Sequence, residues 1–138
     1  MDSSITNKIQ KGDFCSDKYT NASKRIKTTS LTPIFTCPNN GNMLNLKVGL
    51  LTADELVYSG ALRKQKGSNI QTYLNNNVRF WTMTNIAPAA TLFWMPDLTY
   101  INNGNSISAF SGRAVINLKS DTLYTTGDGT KDNPYVIK

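Results

Sequence analysis

Apolar and polar residues alternate in short runs along this chain, and the runs switch abruptly between the period of a strand and that of a helix. Leu46, Val48 and Leu50 alternate, which predicts a strand over 45–51 with one buried face. Thr52-Ala53-Asp54-Glu55 then has the form of a capping box, with Leu51 and Leu56 at the staple positions on either side. Asp54 and Glu55 put negative charge at the positive end of the helix dipole, and Gly60 is a natural stop. A short helix over 53–59 is expected directly after the strand. A weaker helical start, Ser68-Asn69-Ile70-Gln71, leads toward Tyr73-Leu74.

From residue 78 onward the pattern is strand and turn. Val78 to Thr84 alternates and is rich in aromatic and β-branched residues, which predicts a core role for Phe80 or Trp81. Thr91 to Met95 is apolar on both faces, as in a central strand or one that presents a face to a partner. Leu98–Ile101 and Ser106–Phe110 flank Asn102-Asn103-Gly104-Asn105, a hairpin signal with Asn-Gly at its centre. Arg113–Leu118 and Leu123-Tyr124 follow, then a turn over 126–130. Asn133–Ile137 reads as a closing edge strand, because Pro134 cannot donate to a ladder.

The first half is more polar. Residues 1–12 read as a flexible N-terminal arm and 13–138 as a single globular domain; 138 residues leave no room for two. Thr32–Pro38 reads as extended and 39–42 as a turn. With 16 Asn, 16 Thr and nine Gly, the composition favours short strands joined by turns. The predicted class is α+β: a mixed, mostly antiparallel sheet with one or two short helices.

Histidine is absent, which removes Ser-His-Asp and Cys-His catalysis and zinc sites built on imidazole. Cys15 and Cys37 are separated by 21 mostly polar residues. A disulfide closing that loop would add about 3 kcal/mol and would place the chain in an oxidising compartment. The alternative is two free buried thiols. No run approaches the length of a membrane span, and the N-terminus has no apolar region of a signal peptide. The disulfide and the missing signal are reconciled if the sequence is a piece excised from a larger exported or membrane-anchored protein, displayed extracellularly at the cell surface.

The net charge of +6 raises the question of nucleic acid. The basic residues are thinly spread, and the two clusters, Lys24-Arg25-Ile26-Lys27 and Arg63-Lys64-Gln65-Lys66, sit in no nucleic-acid motif, so they read as solvated surface. Asp128 and Asp132 suggest calcium, but the closing Glu of such a loop is missing and a plain turn accounts for them. Asp54 and Glu55 are adjacent on a helix and do not face each other, so capping explains them better than acid–base catalysis. No catalytic residue, metal site or cofactor is predicted. The candidate ligand-binding residues are Trp94, Asp97, Tyr100, Asn102, Asn103 and Asn105, because aromatic and Asn side chains on turns are what binding surfaces are made of.

Several blocks together carry a resemblance: Val48–Leu56, Tyr73-Leu74-Asn75, Phe80–Thr84, Arg113–Ser120, and Gly127-Asp128-Gly129-Thr130 with Asn133-Pro134-Tyr135-Val136-Ile137. Over about residues 35–137 the chain resembles an uncharacterised C-terminal domain of exported surface proteins of Gram-positive bacteria and mollicutes. It is also distantly similar to C-type-lectin-like domains of the sulfatase-modifying-factor type. Ala114 stands where that family usually has Pro, and residues 111–118 lack the reactive cysteine of the formylglycine-generating enzymes. The resemblance implies a non-enzymatic display domain. The expected function is an extracellular binding or adhesion module whose loops over 85–112 contact a carbohydrate or protein at the cell surface. A pilin-like or cell-envelope assembly subunit is the alternative.

Overall fold

The capping box closes as the sequence spells it. Thr52 Oγ1 accepts from the Glu55 N–H at 3.2 Å, and Glu55 Oε2 accepts from the Thr52 N–H at 2.7 Å. The helix it starts runs Ala53–Tyr58 (α2). Its far end is a Schellman turn: Gly60, at φ 104°, donates to Val57, and Ala61 donates to Leu56, both at 3.0 Å. Leu56 and Ala61 are fully buried, so the cap is also a core contact.

The structure is a computed structural model that describes residues 3–17, 22, 24–26, 31–39, 41–63, 74, 78–86, 91–95, 100–105, 109–130 and 132–138. Before α2 come α1 (Ser3–Thr6), β1 (Ile9–Gln10), β2 (Gly12–Ser16), β3 (Asn42–Leu46) and β4 (Val48–Leu50). After it come β5 (Leu62–Arg63), β6 (Phe80–Ile86), β7 (Thr91–Met95), β8 (Tyr100–Asn105), β9 (Ser111–Gly112), β10 (Ala114–Leu118), β11 (Tyr124–Thr126) and β12 (Val136–Ile137). The strands form small sheets ordered β5-β8-β7-β6-β9, β1-β10-β4, β2-β3 and β11-β12. Pairing is antiparallel except β5 with β8 and β6 with β9. The α+β class with a mixed, mostly antiparallel arrangement is therefore present. No helix among the described residues is long and apolar enough to cross a membrane.

The main core lies between α2 and the five-stranded sheet. Leu56 and Val57 pack with Ile26, Leu74, Phe80 and Ile101. A register shift in β6 after Trp81 frees part of that strand from β7. Its backbone turns instead to the second layer: Met83 N–H donates to Leu51 at 2.9 Å, and Asn85 N–H donates to Asp17 at 3.0 Å.

Within residues 1–12, Ile9 pairs with Leu118 and is buried. Two readings of the sequence are corrected. The 45–51 run is two strands broken at Lys47, and its apolar face points outward: Val48 is 45% exposed, while Gly49 is buried. The Phe14 ring occupies the space where a Cβ of residue 49 would stand, so the inner side of β4 is filled by its neighbour. Finally, Asn102-Asn103-Gly104-Asn105 is not a turn but the body of β8, which pairs with β7 from Trp94↔Asn102 to Thr91↔Asn105. Residues 96–99 lie outside the described residues, as do the weak helix start at 68–73 and the segment 106–108. Ala109 and Phe110 are not in a strand.

Candidate functional site

Alternation along β6 sets the two faces of the main sheet. Phe80, Thr82 and Thr84 are buried toward α2, while Trp81 and Met83 are half-buried and Asn85 is exposed on the other side. Directly opposed residues share a face. Trp81 opposes Trp94, and Trp94 opposes Asn102, so these three positions form one row across β6, β7 and β8 on the face away from the core. Tyr100, two residues from Asn102, falls on the same side. Asn103 and Asn105 fall on the side of Ile101, which is fully buried. The register thus brings 94, 100 and 102 together and separates 103 and 105 from them. Asp97 lies outside the described residues.

Residues that the sequence did not single out complete this face. Phe110, immediately before β9, packs its ring 4.8 Å from Trp81. The Arg79 guanidinium stands 5.7 Å over the Phe110 ring. β9 is aligned beside β6 by its parallel pairing and by the Ser111 N–H donating to Arg79 at 3.0 Å. The alternation that was read for core packing is the signal that could have put Trp81 on this face. Phe110 could not be found so, because its contact spans two edge-linked segments.

The N-terminal segment is cross-linked within itself and tied to α2 by an ion pair. Cys15 on β2 is disulfide-bonded to Cys37, with Cα atoms 5.3 Å apart. Gly41 sits against both sulfurs, where a side chain would not fit without displacement. Asp54, read as a capping and dipole residue, is buried. It accepts from Arg25 Nε and Nη2, each at 2.9 Å, and from the Ile34 N–H at 3.1 Å. Arg25 also pairs with the buried Asp17. The hydrogen bond to Asp54, helped by Asp17, raises the Arg25 pKa above its ordinary value, so the guanidinium is charged at every working pH. Arg25 is thus a structural tie, not the solvated surface its basic run suggested.

Other surfaces offer less chemistry. Phe35 and Tyr58, 65% and 72% exposed, meet edge to face at 4.9 Å beside a groove of about 400 Å³ bounded by Leu51, Glu55 and Leu74. Asp128 and Asp132 gather no metal-binding group among the described residues. Asp128 serves its own turn: its carboxylate accepts from the Thr130 N–H at 2.9 Å, which holds it below the usual carboxylate range with help from the Thr130 hydroxyl and Asn133. Gly127 and Gly129 carry positive φ in that turn.

No family model, no curated protein and no solved structure matches the chain.

Proposed function

We propose that this chain is a non-enzymatic extracellular binding module that contacts a carbohydrate or protein at the cell surface through the outer face and loops of its five-stranded sheet. The observation that carries the reading is the transverse row of Trp81, Trp94 and Asn102, with Phe110 and Arg79 at its edge. Two Trp positions in line with an amide side chain supply flat apolar area and hydrogen-bonding capacity on a rigid support, which lowers the ordering cost of binding. Tyr100 falls on the same face by register. Asn103 and Asn105, on the other side of β8, support the strand in this reading.

The Cys15–Cys37 disulfide supports an oxidising, extracellular setting. A mixed, mostly antiparallel set of short strands packed on one short helix accords with a C-type-lectin-like domain, which is the finer fold we propose. The test is a glycan and protein array probed with the intact chain, the reduced chain and Trp94→Ala. Specific binding lost in Trp94→Ala is expected. Equal binding by both proteins would remove the site.

A second reading, a cell-envelope assembly subunit, draws on a different surface. Val48 opposes Ile116, and with Leu118 they leave an apolar strip exposed on the β1-β10-β4 sheet. Concentration-dependent self-association in sedimentation would favour it, and a monomer would favour ligand display.

A further inference from the structure

Phe35 is held beside α2 by anchors on either side of it in the chain. The Ile34 N–H donates to the Asp54 carboxylate at 3.1 Å, and Cys37 is bonded to Cys15 of β2. On α2, Glu55 and Tyr58 are three residues apart and share one face of the helix. The Phe35 and Tyr58 rings stand at a right angle with centroids 4.9 Å apart, so together they make an aromatic corner. Both rings remain largely exposed, and both line the groove of about 400 Å³ that Leu51, Glu55, Ser59 and Leu74 also line.

Glu55 brings the one charge among the residues that line this groove. Its Oε2 accepts from the Thr52 N–H and the Thr52 hydroxyl. Its other oxygen has no hydrogen bond among the described residues. Glu55 makes no ion pair there either, because both ion pairs belong to Arg25, which is taken up by Asp17 and Asp54. On a chain of net charge +6, an unbalanced carboxylate beside two aromatic rings is a local reversal of sign.

We propose that this groove binds a small organic cation whose charge sits on an alkylated ammonium group. The quadrupoles of the Phe35 and Tyr58 rings attract the cation, and Glu55 balances its charge. A bare ammonium has three N–H donors to satisfy, and beyond Glu55 the lining side chains offer only the Tyr58 and Ser59 hydroxyls. An alkylated ammonium carries its charge under methyl groups, which need no acceptor and pack against Leu51, Leu74 and the rings. This site shares no residue with the sheet face and stands without it.

The experiment titrates the full chain at low salt with choline, ethanolamine and neohexyl alcohol, following backbone amide shifts. Choline carries a trimethylammonium, ethanolamine a bare ammonium, and neohexyl alcohol has the shape of choline with carbon in place of the charged nitrogen. Choline is expected to move the amides of residues 35, 55, 58 and 59 and to bind more tightly than the other two. Phe35→Leu and Tyr58→Leu keep apolar area but remove a ring, and each should weaken choline binding about threefold to tenfold. Both positions are exposed, so the melting temperature should stay close to that of the parent chain. Glu55→Gln keeps an acceptor for the Thr52 N–H and removes the charge, and it should weaken choline binding while leaving that of neohexyl alcohol unchanged. Tyr135→Leu, at an exposed tyrosine outside the groove, should have no effect on choline binding. No binding of choline, equal binding of ethanolamine or neohexyl alcohol, or an equal loss in Tyr135→Leu would overturn the proposal.

Discussion

Thr84 is fully buried on β6, and its hydroxyl accepts from the Ala53 N–H at 2.8 Å. Ala53 is the first residue of α2, so its N–H has no partner within the helix. A side chain from another layer supplies one, and the period-2 pattern of β6 gives no hint of it, because a threonine in a strand reads simply as a good strand former. Thr84→Val keeps the shape and removes the acceptor. It should cost about 1–3 kcal/mol, read by chemical denaturation, since the helix N–H is left buried and unpaired. Asp128 shows the opposite case, a polar group whose partners are all local. Its pKa is lowered in the folded chain by the Thr130 N–H. The turn is therefore stabilised above the ordinary carboxylate value of 3.8 and loses that support as pH falls through the lowered value. The Thr130 amide shift should stay flat from pH 7 to about 5 and titrate with a midpoint below that of a free Asp.

At the level of elements, what the sequence made legible was what neighbouring residues decide among themselves. Thr52, Glu55 and Gly60 bound α2 because each partner lies within one turn of the chain. A central place for β7 was one of the two readings its apolar alternation allowed, and it lies between β6 and β8. Asn102–Asn105 misled because Asn-Gly is a strong turn signal only where no neighbouring strand claims the backbone. Here β7 pairs along that whole segment, and tertiary pairing wins. Of the candidate site, the aromatic members on β7 and β8 could be read from composition, but which of the six residues share a face depended on a register that no local pattern contains. Arg25 was hidden for the same reason, since its partners lie 8 and 29 residues away. Arg25→Met should destabilise by about 3 kcal/mol, as it strands two buried carboxylates. Denaturant unfolding of that variant beside Lys24→Met, which removes the exposed neighbouring charge, provides the check.

For the whole molecule, the main sheet has one face committed to the core and one that the described residues leave partly open. α2 packs on the first face, Arg25 ties the N-terminal segment to Asp54 of α2, and the disulfide cross-links that segment internally. That division of labour is the basis of the binding account: the buried side stabilises the fold, so the other side is free to carry aromatic residues for a ligand. Phe80 and Trp94 sit on adjacent strands, on opposite faces of the sheet by register. Thermal and denaturant unfolding of Phe80→Ala and Trp94→Ala, measured side by side, tests this most directly. The account predicts a loss of about 3–5 kcal/mol for Phe80→Ala and less than about 1 kcal/mol for Trp94→Ala. A loss in Trp94→Ala as large as that in Phe80→Ala would make the row a second core and contradict the account.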